Sequence, residues 1–250
     1  MKKTILITGA SSGFGKACAE VFAQQGYKLI LAARRYEKLE ELKASLGVPV
    51  HIVKMDIRNR AEIETFVNEI PHEFSEIDIL INNAGLALGS ESIFDSSLDE
   101  WETMVDTNIK GLMNMTWYIA PIMKKRGVGY IINIGSIAGA WPYLGGNTYG
   151  GTKAFVAQFS RNLRCDFAGT GIRVTNIEPG LAETEFSIVR YRGDVEKANN
   201  VYKGTQPITG KDIADIINWI AHSPKHVNIN SIEIMATQQT WAGLIINREI

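Results

Sequence analysis

The sequence predicts an α/β fold, a single domain built on a doubly wound parallel sheet. Short runs rich in β-branched residues alternate with longer amphipathic segments along the 250 residues, which is typical of βαβ units. Several short runs, such as Ile79, Leu80 and Ile81, are apolar without interruption, as expected for strands that helices cover on both faces. No internal repeat, low-complexity tract or linker divides the chain, so we expect one domain over residues 1–250.

Most of the predicted strands are followed by a segment long enough for a helix. Right-handed crossovers between such units place the strands in one parallel sheet. The predicted strands are residues 4–8, 28–33, 50–55, 77–82, 130–135, 173–178 and 229–235. The predicted helices are residues 13–25, 36–46, 61–74, 98–125, 148–169 and 211–222.

Two stretches, residues 86–97 and 180–207, lack clean periodicity. Long irregular loops in compact domains are often functional. Both follow predicted strands at their carboxyl ends, which is where open α/β sheets bind ligands. We therefore predict that residues 180–207 form a loop over the substrate.

Composition excludes several classes of partner. The formal net charge is −1, so no overall field attracts nucleic acid or a membrane surface. No apolar run approaches the roughly 20 residues of a membrane-spanning helix. The two cysteines, Cys18 and Cys165, are too few for a disulfide framework or a metal site, and we interpret both as packing residues. We expect a cytoplasmic protein that binds no metal, nucleic acid or membrane.

A glycine-rich loop separates the first strand from the first helix. Glycine permits a tight turn and a close approach of the backbone to a pyrophosphate, and the helix N-terminus adds free N–H groups. The Gly15-Lys16-Ala17 sequence lacks the hydroxyl that a nucleotide-hydrolysing P-loop needs. The loop therefore predicts a dinucleotide site. The residues expected to contact the dinucleotide here are Gly9, Ser11, Ser12, Gly13, Phe14 and Gly15.

The residues after the second strand distinguish NADP from NAD. A ribose 2′-hydroxyl favours a carboxylate at this point, whereas a 2′-phosphate favours a cation. Arg34 and Arg35 follow the strand, and the first acid is Glu37. Because arginine binds phosphate with its planar fork, we expect NADP(H), with Arg34 as the main contact, Arg35 beside it and a further hydrogen bond from Ser11. A solvated basic turn is the alternative.

The third and fourth strands end in residues suited to an adenosine site. Asp56 could accept a hydrogen bond from the adenine amino group, or it could cap the next helix, or both. Asn83, Ala84 and Gly85 follow the fourth strand, where a compact backbone could pass beside the ribose. A simple turn is the alternative for these three residues.

Tyr149 and Lys153 stand four residues apart at the start of a predicted helix and so share one face. A phenol has a pKa near 10. A nearby cation lowers that pKa, which would allow the phenol to exchange a proton with a substrate alcohol. The pair alone would more often be surface decoration. The rest of the chain makes a proton relay the better interpretation.

Five further residues could complete the site. Ser136 follows the fifth strand and could hold the substrate oxygen against Tyr149, or cap a turn. Asn108 occupies an unfavourable position inside a helix, as functional residues often do, and could hold a water linked to Lys153. Pro179 and Gly180 follow the sixth strand. Thr184 could bond the carboxamide or pyrophosphate of the cofactor, or cap a helix.

Together these residues resemble the short-chain dehydrogenase/reductase superfamily. The resemblance rests on the glycine loop, on residues 82–85, on Pro179 and Gly180, and on the four catalytic positions, so it covers essentially the whole chain. It implies a seven-stranded Rossmann-type sheet in the order 3-2-1-4-5-6-7. It also implies hydride transfer at the nicotinamide, with Tyr149 as acid and base. The family usually has Ser or Ala where this chain has Gly150 and Gly151.

Residues 186–194 and 226–235 resemble a narrower group, the NADP-dependent 3-hydroxy acid dehydrogenases, also called serine or L-allo-threonine dehydrogenases. This resemblance implies small substrates such as serine, allo-threonine, 3-hydroxyisobutyrate and 3-hydroxypropionate, together with their 3-oxo acids. Such a substrate carries a carboxylate, and we expect Arg190 to pair with it, a surface salt bridge being the alternative. Trp141 and Phe186 are expected to narrow the pocket.

The family resemblance also implies a homotetramer in which residues 98–125 and 148–169 pack against other subunits. The apolar tail, residues 241–246, fits burial between subunits or within its own chain. Two other functions stay open at this stage. One is a reductase of the same superfamily that acts on a sugar, a steroid or an acyl thioester. The other is a non-catalytic NADP sensor, against which the intact catalytic positions argue.

Overall fold

The computed structural model describes residues 3–241 and residue 246. It contains a seven-stranded sheet in the order β3-β2-β1-β4-β5-β6-β7 in which every pair of neighbouring strands is parallel. The predicted doubly wound sheet is confirmed. The strands are β1 Thr4–Thr8, β2 Lys28–Ala33, β3 Val50–Lys54, β4 Ile77–Asn82, β5 Gly129–Ile134, β6 Ile172–Pro179 and β7 Ser231–Ile234.

Helices connect the strands and cover both faces of the sheet. They are α1 Gly13–Gln24, α2 Tyr36–Leu46, α3 Arg60–Asn68, α4 Leu98–Val105, α5 Leu112–Arg126, α6 Asn147–Asp166, α7 Phe186–Arg190, α8 Val195–Asn200 and α9 Gly210–Ala221. Among the described residues, no helix is both long enough and apolar enough to cross a membrane.

Three predicted segments differ from the structure. Helix α3 stops at Asn68 and a separate 3₁₀ turn covers His72–Phe74, because Pro71 disfavours helical backbone in the residue before it. The long helix predicted at residues 98–125 contains a π-helical segment, Asp106–Gly111, between α4 and α5. Residues 180–207 are not wholly irregular, since they contain α7 and α8. Helices of five and six residues are too short to give a periodic pattern.

The core consists of two layers, one on each face of the sheet. Successive strand residues point to opposite faces, so Ile5 and Ile7 of β1 pack with Phe22 and Ile217 beneath α1 and α9. Leu6 packs on the other face in a layer that α3 and α5 cover. Every residue of β1 is buried. This double coverage explains the uninterrupted apolar runs in the sequence.

The two cysteines differ in their surroundings. Cys18 is buried in the core, as predicted. Cys165 is exposed near the end of α6, so the prediction that it is a packing residue is wrong. The prediction for the apolar tail falls mainly on residues 242–245, which lie outside the described residues. Trp241 is exposed, and its indole N–H donates to Glu233 at 2.6 Å.

Candidate active site

A cavity of about 330 Å³ opens at the carboxyl ends of the central strands, where the chain leaves β1 and β4 for opposite faces of the sheet. Most of the predicted site residues line it. They are Gly9, Ser11, Ser12, Gly13, Phe14, Arg34, Arg35, Asp56, Asn83, Ala84, Gly85, Ser136, Tyr149, Lys153, Pro179, Gly180 and Thr184. Gly15, Asn108 and Arg190 lie beside or behind this wall.

The glycine loop approaches neighbouring backbone too closely for side chains. Gly9 has a φ of 65°, and a Cβ on it would lie 2.9 Å from Ala84 Cα. Gly13 has a φ of 54° and stands at the first turn of α1. The N-cap residue Ser12 makes no side-chain cap bond, which leaves the N–H groups of that turn available to an anion.

Asn83 and Gly15 shape the loop from behind. Asn83 Nδ2 donates to the carbonyl oxygens of Thr8, at 2.9 Å, and Gly9, at 3.2 Å. A Cβ on Gly15 would lie 2.5 Å from that same nitrogen. Gly15 therefore lets α1 pack against the loop, which explains why it supports the cavity without lining it.

The two arginines after β2 differ in their side-chain hydrogen bonds and ion pairs. Arg35 donates to Ser11 Oγ, to Ser12 Oγ at 2.7 Å, and to Glu185 Oε2 at 2.7 Å. Lys38 also reaches the Glu185 carboxylate, at 3.0 Å. Arg34 lines the cavity and makes no hydrogen bond or ion pair with another described residue, which leaves its guanidinium available to an anionic group. This arrangement fits Arg34 as the main phosphate contact and Arg35 as its neighbour.

Asp56 is held by Arg58. The Arg58 side chain donates to both carboxylate oxygens, the shortest contact being 2.6 Å, and these hydrogen bonds lower the pKa of Asp56. The residue that caps α3 is Asn59, which accepts from the N–H of Ala61 at 3.1 Å. The helix-cap alternative for Asp56 is therefore wrong, because the N-cap lies three residues further on and the helix starts at Arg60.

Tyr149 and Lys153 lie on the cavity side of α6. Lys153 Nζ is buried, donates to the carbonyl of Ile134 at 2.7 Å, and lies 5.7 Å from the centre of the Tyr149 ring. A Cβ on Gly150 would lie 2.9 Å from the carbonyl oxygen of Ala138. Gly150 thus lets α6 approach the segment after β5 closely, which accounts for one of the two glycines at this point.

The pKa values of this pair are set mainly by burial. Burial lowers the pKa of Lys153 to about 8. It raises the pKa of Tyr149 above its ordinary value and outweighs the lowering by a hydrogen bond with Ser136 and by the charge of Arg190. The expected lowering of the tyrosine pKa is therefore wrong for this structure. The phenol stays protonated at neutral pH, as a proton donor requires.

Ser136 and Asn108 hold the residues around the pair. Ser136 Oγ accepts from the N–H of Ala138 at 3.1 Å, as a turn cap does, and donates to the carbonyl oxygen of Pro179 at 3.4 Å. Ser136 also lines the cavity, where a hydrogen bond from its side chain lowers the pKa of Tyr149. Asn108 lies in the π-helical segment and is buried. Its amide donates to Leu86 O at 2.8 Å and to Thr152 Oγ1 at 3.1 Å. Both N–H donors of Asn108 are thus used within the protein, and a bound water would have to donate to its oxygen or contact its main chain.

Arg190 lies beside the tyrosine. Its guanidinium carbon is 6.0 Å from the centre of the Tyr149 ring. Nε donates to Gly89 O at 3.1 Å, and Nη2 donates to Tyr143 Oη at 3.0 Å. It makes no ion pair with a described acidic residue, so the salt-bridge alternative is wrong. The half-buried cation retains N–H groups for an anion near the phenol.

Thr184 contacts the two segments between which it lies. Its Oγ1 accepts from the N–H of Phe186 at 3.1 Å, so it helps to cap α7. Thr184 also lies close to the glycine loop, since a Cβ on Gly13 would be 3.4 Å from Thr184 Cβ.

The two aromatic residues expected at the pocket differ in position. Phe186 lines the cavity and packs on Tyr149 with ring centres 5.7 Å apart, as expected. Trp141 is not part of that wall: it is largely exposed and bonds Glu233.

Sequence reasoning missed three polar residues of the site. Thr107 lines the cavity, and its buried hydroxyl has no hydrogen-bond partner among the described residues. Glu185 pairs with the cationic cluster. Tyr143 holds Arg190. Thr107 could have been predicted, because it is adjacent in sequence to the predicted site residue Asn108. The other two depend on contacts between residues 47 and 150 positions apart, which no local pattern shows.

Comparison with known proteins agrees with this geometry. Residues 3–193 match the family model described as short chain dehydrogenase. The NADP-dependent 3-hydroxy acid dehydrogenase YdfG of Escherichia coli strain K12 is 52% identical over 246 residues, 98% of this chain and 99% of that protein. Serine 3-dehydrogenase of Rhizobium radiobacter is 51% identical over 249 residues, all of both chains.

A solved structure is similar over nearly the same length. It is the closed form of a serine dehydrogenase complexed with NADP⁺, with a TM-score of 0.95 and 52% identity. The match covers 98% of this chain and 100% of that one. A serine dehydrogenase from Escherichia coli gives a TM-score of 0.84 at 47% identity and covers 95% of this chain and 100% of that one. The likeness therefore includes both the sheet and the segments around the cavity.

Proposed function

Because the matched model spans residues 3–193, the chain belongs to the short chain dehydrogenase family, and we propose that Tyr149, Ser136 and Lys153 form its catalytic centre. The chain is an NADP(H)-dependent oxidoreductase that interconverts a small 3-hydroxy acid and its 3-oxo acid. One observation carries the residue assignment: the buried Lys153 and the Arg190 guanidinium, which makes no ion pair with a described residue, lie 5.7 and 6.0 Å from the centre of the Tyr149 ring at the cavity wall.

The residues of the cavity fit NADP. The close approach of Gly9 to Ala84 and the uncapped first turn of α1 leave backbone N–H groups for a pyrophosphate. Arg34 makes no hydrogen bond or ion pair with a described residue and stands at the position expected for the 2′-phosphate. The adenosine end is bounded by Asp56, Ile57 and Thr107. When bound, the nicotinamide accepts a hydride from the alcohol carbon or donates one to the carbonyl carbon.

The protein's own residues move the proton. In the reductive direction Tyr149, held protonated by burial, donates its proton to the substrate oxygen as negative charge develops there. Ser136 bonds the phenol and is placed to bond that oxygen too. The Lys153 ammonium stabilises the phenolate that remains. In the oxidative direction the same groups act in reverse.

We propose that Arg190 binds the substrate carboxylate. The carboxylate of a 3-hydroxy acid lies two carbon–carbon bonds from the reacting carbon. The cation that binds it must therefore lie near the Tyr149 hydroxyl but not in contact with it. Arg190 meets that condition. Arg190→Ala should raise the KM for 3-hydroxyisobutyrate at least tenfold, since charge-assisted hydrogen bonds contribute roughly 1.5–3 kcal/mol. An unchanged KM would remove Arg190 from the site.

A spectrophotometric panel tests the function. NADP⁺ and NAD⁺ are each offered with serine, allo-threonine and 3-hydroxyisobutyrate, and NADPH with malonic semialdehyde and an acetoacetyl thioester. We expect turnover of the 3-hydroxy acids with NADP⁺ and none with the thioester. Tyr149→Phe should bind NADPH normally and lose at least a hundredfold in kcat. Turnover of the thioester alone would indicate another reductase of the family, and NADPH binding without any turnover would indicate a sensor.

We also propose that the protein is a cytoplasmic homotetramer in which α5 and α6 contact neighbouring subunits. Support for the assembly comes from large apolar side chains on the outer face of α5, where Met113 and Trp117 are exposed. Support for the location comes from the balanced charge of the chain.

A further inference from the structure

Arg190 is held by two neutral acceptors from different parts of the chain. One is the carbonyl of Gly89, and the other is the hydroxyl of Tyr143, which lies between β5 and α6. Guanidinium carries five N–H donors, and these two bonds use one on Nε and one on Nη2. The remaining donors make no hydrogen bond to a described residue. The two bonds therefore fix the plane of the cation without neutralising its charge.

The ring of Tyr143 is itself held in place. A Cβ on Gly146 would lie 2.5 Å from Cε1 and 2.6 Å from Cζ of the tyrosine, so the ring lies directly on the glycine. Gly146 has φ −88° and ψ 6°, which an alanine can adopt. The glycine is thus required by the ring rather than by the backbone, and the same residue is the N-cap of the helix that carries Tyr149.

We propose that Tyr143 is a positioning residue, which orients Arg190 for the substrate carboxylate and so helps to determine selectivity for 3-hydroxy acids. The inference rests on the proposed role of Arg190. An arginine without this bond would keep its charge but gain rotamers, and bidentate pairing with a carboxylate depends on the orientation of the guanidinium plane. Tyr143 and Gly146 connect that orientation to the N-terminus of α6, and thereby to Tyr149.

The test compares an acid with its neutral analogue. The substrates are 3-hydroxyisobutyrate and its methyl ester, which differ in the charge that Arg190 would bind. Tyr143→Phe removes only the hydroxyl and should raise the KM of the acid roughly three- to tenfold, less than Arg190→Ala does, because the guanidinium keeps its charge and loses only its orientation. The KM of the ester, the kcat of the acid and the Kd of NADPH should each stay within about twofold.

Two glycine variants supply an independent arm. Gly146→Ala should displace the Tyr143 ring and raise the KM of the acid as Tyr143→Phe does. Gly151→Ala in the same helix is the matched control, because a Cβ there meets nothing within 4 Å. The control should leave all constants unchanged.

The outcomes separate this inference from the role of Arg190 itself. If Arg190→Ala raises the KM of the acid but Tyr143→Phe does not, the inference on Tyr143 is wrong and the role of Arg190 stands. If neither variant changes it, both are wrong. An equal rise in KM for acid and ester in Tyr143→Phe would show a general packing role and would overturn the positioning role. The NADPH Kd, measured by nucleotide fluorescence, checks that each variant is folded.

Discussion

Lys153 and Tyr149 share one helix face, and burial favours the neutral form of both side chains. The lysine pKa falls to about 8 and the tyrosine pKa rises. At neutral pH the site therefore contains a protonated phenol beside a lysine that is still mostly charged. A cation is lost when the pH rises through its pKa, so Lys153 is the group that titrates first on the alkaline side.

This order of titration predicts the pH dependence of reduction. For malonic semialdehyde with NADPH, kcat/KM should be level from about pH 6 to 7, fall to about half near pH 8 and decline further above it, as Lys153 loses the charge that stabilises the phenolate. Lys153→Arg should be slower but should lack this fall, because a guanidinium stays charged. A wild-type profile that stays level to pH 10 would contradict the assignment.

The two arginines after β2 predict different effects on cofactor choice. Within the described part of the chain Arg34 makes no hydrogen bond or ion pair, whereas Arg35 is bound to Ser11, Ser12 and Glu185. Arg34→Ala should raise the Kd of NADPH at least tenfold and leave that of NADH within twofold, since only NADPH carries the 2′-phosphate. Arg35→Ala should weaken both, because it loosens the glycine loop. Equal losses for both cofactors in Arg34→Ala would contradict its role, as would equal efficiency of the wild type with NAD.

Among the elements, the π-helical segment contacts the cavity wall at two points. Gly111 ends this segment, and a Cβ on it would lie 2.5 Å from Ile57 Cδ1. Ile57 and Thr107 line the cavity at the end that we propose for the adenosine. The wider turn of a π-helix places Asn108 towards Leu86 while Gly111 packs on Ile57. The π-helical segment thus packs against residues at both ends of the cavity, Leu86 and Ile57.

Gly111→Ala should therefore act through Ile57. The added methyl group has to push the Ile57 side chain, and the direction left open is the cavity. We expect the Kd of NADPH to rise several-fold, with little change in the KM of the hydroxy acid once the enzyme is saturated with NADP⁺. Gly151→Ala again provides the control, since its methyl group meets no neighbour. Unaltered NADPH binding in Gly111→Ala would show that Ile57 yields elsewhere.

The elements with strong local signals could be predicted, and those defined by distant contacts could not. The central strands and the glycine loop follow from apolar runs and turn chemistry over fewer than about ten residues. Helices α7 and α8 are too short for periodicity, and the π-helical segment has no known sequence period. Likewise, Arg190 could be proposed from its charge, but its partner Tyr143 is 47 positions away. The pKa direction of Tyr149 depended on burial, which spacing does not reveal.

Over the whole molecule, the outer face of α5 is where we expect subunits to meet, because large apolar side chains are exposed there. Met113 and Trp117 are one helical turn apart and are 40% and 64% exposed. The Arg60 guanidinium lies 5.4 Å from the Trp117 ring, so this face combines apolar area with a cation. A tryptophan held this way at a surface is typical of an interface centre.

The double variant Met113→Glu/Trp117→Glu tests this face. Four carboxylates would meet at each two-fold contact between α5 helices, and their desolvation and mutual repulsion should split the assembly. Light scattering after gel filtration should give about four times the chain mass of 27.7 kDa for the wild type and a smaller multiple for the variant. Val195→Glu on α8 is the control, because this side chain is 54% exposed and lies outside the expected interface. A wild-type mass of one chain, or an unchanged mass in the double variant, would count against α5 as the contact.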